Sequence, residues 1–313
     1  MSPDLRVRIG DLLMPNPVGL ASGTFGYGLE YESLVETDSL GALYTKAVTP
    51  EPRTGNPPPR LVETPSGMIN SIGLANPGLE AFLRDKLPAL RARRCPVVVN
   101  VAGSTEDDYL RVVEAIEAAA GRPEPGLKSG VDAYEINISC PNVKHGGMAF
   151  GTDPVQVERL THALRRVSSR PLIVKLSPNV TDIASIARAA ESGGADAVSC
   201  INTLVGMVID VKRRKPAIAM GTGGLSGPAI RPVGVACTYK VSRAVRIPVI
   251  GLGGIMCASD ALQYLLAGAS AIQVGTGTFI DPGIPGRVLA GIEGWMLEFG
   301  VTRVSDIKNL LDA

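Results

Sequence analysis

The sequence is organised around one stretch, Tyr134-Glu-Ile-Asn-Ile-Ser-Cys-Pro-Asn-Val-Lys-His-Gly-Gly-Met-Ala-Phe-Gly151. Its first part alternates apolar and polar residues and is rich in β-branched side chains, which predicts a β-strand. The strand must stop near Pro141, because proline cannot donate to a neighbouring strand and fixes its own φ. Cys140 then lies at the strand's end, on a loop in which Gly146-Gly147 is a candidate hinge. A thiol there could take part in chemistry, although a lone cysteine is more often a small buried packing residue.

Short apolar runs of this kind recur eight times, each followed by a longer helical pattern. Near-continuous apolar composition is what a parallel strand buried on both faces requires. No change in composition separates two halves, so we predict an α/β fold: a single (β/α)8 TIM barrel in one domain, 1-313, rather than two Rossmann halves. The runs are Val18–Gly23, Ala42–Val48, Pro96–Ala102, Ala133–Cys140, Pro171–Ser177, Ala197–Thr203, Pro248–Gly254 and Ala271–Gly277.

Other segments complete the predicted barrel. The residues before Val18 are expected to form a strand pair that closes its bottom. Two connections, Pro50–Ala75 and Leu204–Arg231, are longer than a barrel needs, and long ordered loops after strands belong at the C-terminal mouth. Thr105 and Asp108 form a capping-box-like helix start. Helical patterns cover Thr105–Ala120, Pro154–Ser168, Thr181–Ser192, Arg231–Val245 and Ser259–Ala267.

Composition limits the classes of function. Of 313 residues, 31 are Lys or Arg and 30 are Asp or Glu, which gives no electrostatic case for nucleic acid or an anionic membrane. The five cysteines contain no C-x-x-C, which argues against a disulfide framework, a zinc site or an iron–sulfur cluster and suits a reducing cytoplasm. The uncharged run 261–280 contains glycines and polar residues, so a helix and a buried strand fit it better than a membrane span.

Polar residues gather where the predicted strands end. The C-terminal ends of barrel strands converge on one mouth, and two lysines and three asparagines would be costly to bury there without partners. Each alone could be a satisfied core residue, but together they indicate an anionic ligand with several carbonyl or amide groups. The set is Ser22, Lys46, Asn100, Asn137, Cys140, Lys175, Asn202 and Thr203.

The last two predicted strands end in glycine pairs, within Gly251-Leu-Gly-Gly254 and Val274-Gly-Thr-Gly277, with helices close behind. Glycine lets backbone N–H groups approach a phosphate, and a helix N-terminus adds partial positive charge. Phosphate sites in barrels commonly lie after strands seven and eight. We therefore expect a phosphorylated cofactor, with room for a planar ring deeper in the mouth.

Taken in order over essentially the whole chain, these motifs resemble the dihydroorotate dehydrogenase family. With cysteine at position 140, the sequence resembles class 1 of this family, because the membrane-bound class has serine there. Val99-Asn-Val-Ala-Gly-Ser104 and Cys140-Pro-Asn-Val-Lys-His-Gly-Gly147 resemble the NAD-linked class 1B more than the fumarate-linked class. The other motifs are Lys46, Asn70-Ser-Ile-Gly-Leu-Ala-Asn-Pro-Gly78, Asn137-Ile-Ser-Cys-Pro-Asn142, Lys175-Leu-Ser-Pro178, Asn202-Thr203, Gly224-Leu-Ser-Gly-Pro-Ala229 and the two glycine pairs.

The resemblance implies oxidation of (S)-dihydroorotate to orotate in de novo pyrimidine synthesis, with FMN taking the hydride. Cys140 would be the catalytic base for the C5 proton while hydride leaves C6, and Lys46 would contact both flavin and substrate. Orotate would be held by Lys46, Asn70, Ser71, Ile72, Gly73, Leu74, Asn137, Asn202 and Thr203. FMN would be lined by Ser22, Lys46, Ala47, Asn100, Asn137, Lys175, Ile201, Gly227, Gly253, Gly254, Gly275 and Thr276.

These residue types suit such chemistry. Lys175 can stabilise negative charge that develops on the flavin N1–C2=O edge during hydride transfer. Asparagine amides can both donate to ring carbonyls and accept from a ring N–H. The ordinary pKa of a cysteine, about 8.5, makes Cys140 a workable base near or above neutral pH, so activity is expected to rise with pH.

The NAD-linked subclass also implies partners. The chain has neither a dinucleotide fingerprint nor a cysteine cluster, so electrons would leave FMN through a separate subunit carrying FAD and [2Fe–2S]. A homodimer extended to a heterotetramer is the family's arrangement. The alternatives are a fumarate-linked class 1A-type enzyme, a dihydropyrimidine dehydrogenase-like FMN oxidoreductase, and a non-catalytic FMN- or phosphate-binding scaffold, which would have no need of Cys140 or Lys46. We expect no metal, nucleic-acid or membrane partner.

Overall fold

A closed barrel of eight parallel strands forms the centre of the structure, a computed structural model that describes residues 2–31, 33–122, 129–138 and 150–312. Each barrel strand pairs with the next one along the chain, and the eighth pairs with the first. Every predicted apolar run contains one of these strands, so the predicted barrel is confirmed. The strands are Val18–Leu20, Ala42–Tyr44, Val97–Val101, Ala133–Asn137, Leu172–Leu176, Ala197–Cys200, Val249–Leu252 and Ala271–Val274.

Helices surround the barrel and bury their apolar faces against it, as Val112, Val113 and Ile116 of one helix do. The five predicted helices are confirmed to within two residues at each end. The α-helices are Gly78–Ala81, Leu87–Leu90, Glu106–Ala120, Pro154–Val167, Ile183–Ser192, Arg231–Ala244, Ala258–Leu266, Gly277–Ile280 and Ile284–Glu298. A π-helix spans Phe82–Lys86, and 3-10 helices span Thr37–Ser39, Phe150–Thr152, Pro228–Ile230 and Val304–Asn309.

The first strand departs from the predicted pattern of a strand followed by a long helix. In the described residues between it and the second strand, only the 3-10 helix Thr37–Ser39 occurs. Three glycines in this connection, Gly23, Gly26 and Gly28, have φ of 84°, 57° and 78°. Residues in this left-handed region cannot continue a right-handed helix. The prediction of a long helix after the first strand is therefore wrong.

The N-terminal strand pair lies at the bottom of the barrel, as predicted. Val7–Ile9 and Leu12–Met14 pair antiparallel across a turn in which Gly10 has φ of 54°. This turn approaches Asp196, immediately before the sixth strand, so closely that a Cβ on Gly10 would lie 2.9 Å from the carboxylate. The hairpin therefore covers the end of the barrel at which the strands begin.

The two long connections pair with each other at the opposite end of the barrel. They form one antiparallel sheet with strand order Leu204–Met207, Thr222–Ser226, Gly67–Asn70 and Leu61–Thr64. A smaller pair, Ile209–Asp210 with Lys215–Pro216, extends from it. The four-stranded unit, called the mouth sheet below, was not predicted, because nothing local in either loop specifies a partner so distant in sequence.

The uncharged run 261–280 contains the end of one helix and the eighth strand, as expected, and it ends in the short helix Gly277–Ile280. None of the helices in the described ranges combines the length and apolar character needed to cross a membrane.

The helix Glu106–Ala120 begins with the predicted capping box. The Asp108 backbone N–H donates to Thr105 Oγ1 at 3.2 Å, and the Thr105 N–H donates to Asp108 Oδ2 at 3.1 Å. Replacing Thr105 by alanine should lower the free energy of unfolding by about 1 kcal/mol, because a backbone N–H loses its acceptor. Urea denaturation checks this, with Thr105→Ser as the matched control that keeps the hydroxyl. Equal loss in both variants would exclude the cap as the cause.

Candidate active site

Several of the polar side chains predicted to lie at the barrel mouth contact one another there. Lys175, near the end of the fifth strand, places its Nζ 3.3 Å from Ser22 Oγ, just beyond the first strand. Asn202, beyond the sixth strand, places its Nδ2 3.5 Å from Asn137 Oδ1 at the end of the fourth. The Thr203 N–H donates to Asn202 Oδ1 at 2.8 Å. The site is therefore assembled from strand ends on different sides of the barrel.

A buried carboxylate, Glu135, stands at the centre of this arrangement. It lies on the fourth strand two residues before Asn137, so both side chains are on the same face of that strand. Glu135 is fully buried, and its oxygens accept hydrogen bonds from four side chains on four other strands. The donors are Asn100 Nδ2 at 2.6 Å, Lys175 Nζ at 3.3 Å, Ser199 Oγ at 2.9 Å and Gln273 Nε2 at 2.9 Å.

The charge of Glu135 is maintained by these partners. Burial by itself would raise the pKa of this carboxyl, but the Lys175 ammonium and the hydrogen bonds from Gln273, Ser199 and Asn100 hold it below its ordinary value. Glu135 is therefore ionised at neutral pH and forms a buried ion pair with Lys175. The barrel interior here contains one fixed negative and one fixed positive charge.

Sequence reasoning missed Glu135, Ser199 and Gln273. The strand alternation did contain a signal, because Glu135 shares the period-two position of Asn137 and must point the same way. Gln273 likewise occupies the middle of a predicted buried strand. A glutamate on a strand more often faces solvent, so the pattern alone did not identify these residues.

Lys46 supplies a second positive charge at the mouth. Burial lowers the pKa of this half-buried lysine, and the nearby Arg60 guanidinium lowers it further. Within the part of the chain that the structure describes, no ion pair includes Lys46. A desolvated ammonium without a carboxylate partner is suited to an anionic ligand.

Hydrogen bonds hold the segment from Asn70 to Leu74 in place where it leaves the mouth sheet. Asn70 Nδ2 donates to the Gly224 carbonyl at 3.4 Å, and Asn76 Nδ2 donates to the Leu74 carbonyl at 2.7 Å. Gly73 and Leu74 have φ of 75° and 56°, the second being unusual for a residue with a branched side chain. Ser71 Oγ and Ile72 lie within this anchored segment, and Ser71 Oγ is buried without a partner among the described residues.

The glycines after the seventh strand, predicted to approach a phosphate, contact Gly227, a predicted FMN-lining residue in the connection that follows the sixth strand. Gly227, Gly253 and Gly254 have φ of 93°, 128° and 69°. A Cβ on Gly254 would lie 2.7 Å from the Gly227 carbonyl oxygen, so the two backbones are in contact. Thr276 Oγ1 donates to Ser226 Oγ at 2.8 Å, which joins the eighth-strand loop, with Gly275, to the mouth sheet. These closely packed backbones, called the glycine cradle below, leave no room for a side chain at Gly254.

The remaining predicted residues fall into two groups. Ala47 and Ile201 are buried directly after the second and sixth strands, at the level of the mouth. Cys140 and the glycine hinge at 146–147 lie outside the described residues, so the roles assigned to them stay predictions.

Comparisons with known proteins agree with this architecture. A sequence model described as dihydroorotate dehydrogenase matches residues 4–296. The catalytic subunit of dihydroorotate dehydrogenase B (NAD(+)) from Pelobacter propionicus is 51% identical over 312 residues, covering 100% of both chains. The protein of the same name from Listeria innocua is 51% identical over 307 residues, covering 98% of each chain.

A solved structure shares the fold. The crystal structure of DHODH from Eimeria tenella in complex with ferulenol matches with a TM-score of 0.80 at 24% sequence identity. The match covers 97% of this chain and 87% of that one. At this level of identity the likeness concerns the barrel architecture alone.

Proposed function

The chain belongs to the dihydroorotate dehydrogenase family, and we propose that it oxidises (S)-dihydroorotate to orotate in de novo pyrimidine (UMP) synthesis, using FMN bound at the barrel mouth. One observation carries the proposal most directly. Lys46 and Lys175 converge on one mouth with asparagines from three strands, beside a glycine cradle suited to phosphate. We further propose that 1-313 forms a single FMN-binding domain located in the cytoplasm, since the sequence carries no disulfide-type cysteine framework.

Two features of the site fit FMN. Asn100 Oδ1 is fully buried and has no hydrogen-bond partner among the described residues, so an N–H of a bound flavin ring would satisfy it. The second feature is the cradle of Gly227, Gly253, Gly254 and Gly275, with Thr276, because backbone N–H groups of such glycine-rich turns can approach a phosphate. The whole predicted set, including Ser22, Ala47 and Ile201, would then surround the cofactor.

When bound, FMN supplies the acceptor for the hydride that leaves C6 of dihydroorotate. In this proposal the buried Lys175 stabilises the negative charge that develops on the flavin. Lys46 binds the substrate carboxylate, while Asn70, Asn137 and Asn202 pair with the ring amides. Cys140 takes the C5 proton as the catalytic base.

We propose that electrons then pass to NAD+ through a partner subunit with FAD and [2Fe–2S]. The relatives from Pelobacter propionicus and Listeria innocua are named as NAD(+)-linked catalytic subunits, and this supports the NAD-linked class over a fumarate-linked one. We also propose a homodimer of this chain within a heterotetramer. Alternate residues Val205, Met207, Ile209 and Val211 expose apolar side chains at the mouth sheet and its extension, which offers a surface for such contact.

An anaerobic absorbance spectrum of the purified chain tests the function. The flavin band should bleach when dihydroorotate is added, which would establish cofactor, substrate and the first half-reaction together. A flavin that stays oxidised would redirect the substrate assignment, and competition between orotate and uracil would then test the dihydropyrimidine dehydrogenase-like alternative. A chain that takes up no FMN on reconstitution would overturn the proposal.

The variant Cys140→Ala should retain FMN but fail to reduce it with dihydroorotate near neutral pH, because the C5 proton has no acceptor. Rapid-mixing absorbance measures the reduction rate, with a loss of at least 100-fold expected for a general base. Cys257→Ser is the matched control, since Cys257 is exposed at the start of the helix Ala258–Leu266. Normal reduction in the Cys140→Ala variant would remove this residue from the mechanism.

The rate of flavin reduction in the unaltered chain should rise with pH. The base must be a thiolate, and the thiolate fraction grows as the pH approaches the ordinary cysteine pKa of about 8.5. Stopped-flow measurements between pH 6 and pH 9, roughly bracketing that value, check the trend. A rate that is flat over this range would contradict a cysteine base.

The variant Gly254→Ala should lose most of its bound FMN, because the new methyl group would enter the cradle against the Gly227 carbonyl. Gly221→Ala is the matched control: Gly221 has a similar φ of 80°, but a Cβ there meets nothing within 4 Å. The ratio of flavin to protein absorbance after desalting measures retention. Equal retention in the two variants would show that the cradle does not hold the cofactor.

A further inference from the structure

The two carboxylate oxygens of Glu135 serve different parts of the barrel. Oε2 accepts from Asn100 Nδ2 and Lys175 Nζ, the two partners that also belong to the proposed flavin site. Oε1 accepts from Ser199 and Gln273, which the proposed site does not use. Oε2 therefore orients two groups of the proposed flavin site, and Oε1 anchors the carboxylate in the barrel.

Glu135 determines which way the Asn100 amide points. An ionised carboxylate can only accept hydrogen bonds, so the NH2 group of Asn100 must face it. The amide oxygen is then left facing away from Glu135, fully buried and without a partner in the described residues. The site thus presents an acceptor, which selects a ligand that offers an N–H.

Glu135 also fixes the Lys175 ammonium. Lys175 is 4% exposed and contacts Glu135 Oε2 and Ser22 Oγ, each at 3.3 Å. An ammonium has three N–H donors, so these two contacts leave one for a ligand. Burying an ion pair costs desolvation energy that well-packed apolar residues would avoid, which favours a functional role for the charge.

We propose that Glu135 is a positioning residue that orients Asn100 and Lys175 toward the flavin and, through its negative charge, lowers the reduction potential of the cofactor. The inference rests on the proposed flavin site and deepens it. A fixed negative charge close to the ring disfavours the additional negative charge of reduced flavin, as Coulomb's law requires in a poorly solvated interior.

The variant Glu135→Gln tests the role of the charge, since it keeps the size of the side chain, removes the negative charge and replaces one acceptor oxygen by an NH2 donor. Equilibrium reduction of bound FMN against a reference dye needs no substrate and so reads the potential independently of turnover. The ratio of reduced to oxidised FMN at a fixed potential should rise about tenfold, which corresponds to about 30 mV for a two-electron couple. An unchanged ratio would overturn the proposed effect of the charge.

The variant Glu135→Asp tests the positioning role separately and keeps the proposal testable if the glutamine variant fails to fold. Aspartate retains the charge, but its shorter side chain cannot reach all four partners. The dissociation constant of FMN should rise at least tenfold while the reduced-to-oxidised ratio stays close to that of the unaltered chain. Unaltered affinity would overturn the proposed positioning.

Ser199→Ala provides the matched control, because it removes one hydrogen bond to Oε1 and leaves Oε2 and the charge in place. Its FMN affinity and reduction potential should equal those of the unaltered chain. Changes as large as those of the Glu135 variants would show that general packing of the barrel, and not Oε2, is responsible, and would overturn the inference. An unaltered chain that binds no FMN would overturn the proposed function as well, so the two failures are distinguishable.

Discussion

The structure depends on the closure of the barrel between its last strand and its first. The Ile272 N–H donates to the Pro17 carbonyl at 2.8 Å, and the Ala21 N–H donates to the Val274 carbonyl at 2.9 Å. Closure leaves neither strand with an unpaired edge and points all eight strand ends to one mouth. The contact between Ser22 and Lys175 across the barrel exists only because the register closes in this way.

A closed barrel of this size has an interior filled by side chains, so any polar group inside it must find a partner there. Glu135 meets this requirement by drawing donors from four other strands. Asn100 meets this requirement only in part. Its NH2 group donates to Glu135, but its amide oxygen has no partner among the described residues. The same packing rule that stabilises the barrel thus leaves a buried acceptor at the mouth, where a flavin could complete it.

The barrel could be predicted because each strand carries its own signal in the apolar run that ends at a polar residue. Thr105 is equally local, since its cap is made within three residues of chain. The glycines between the first two strands show the limit of periodicity, because their left-handed φ values overrode the expected helix. The pairing of Asn70 with Gly224 could not be predicted, since only the finished barrel brings these segments together.

The candidate site was predicted mainly through the family resemblance, which supplied the roles of Lys46, Lys175 and the asparagines. Glu135 was missed because its only signal was the period-two position that it shares with Asn137, and a glutamate on a strand more often faces solvent. Burial and hydrogen bonding are properties of the folded chain, so neither can be counted along the sequence. The buried Glu135 carboxylate is the clearest example of a feature that was identified only in the folded structure.

The mouth sheet has a consequence for synthesis on the ribosome. Asn70 and Gly224 are 154 residues apart, so the hairpin of Leu61–Thr64 and Gly67–Asn70 emerges long before its partner strand. At typical elongation rates of roughly 5–20 residues per second, the interval is about 8–30 seconds. During that time one edge of the hairpin has no neighbour from its own chain, and such an unpaired edge can pair wrongly with another strand. The segment that frames the active site is thus completed only after its partner strand, 154 residues later, has been made.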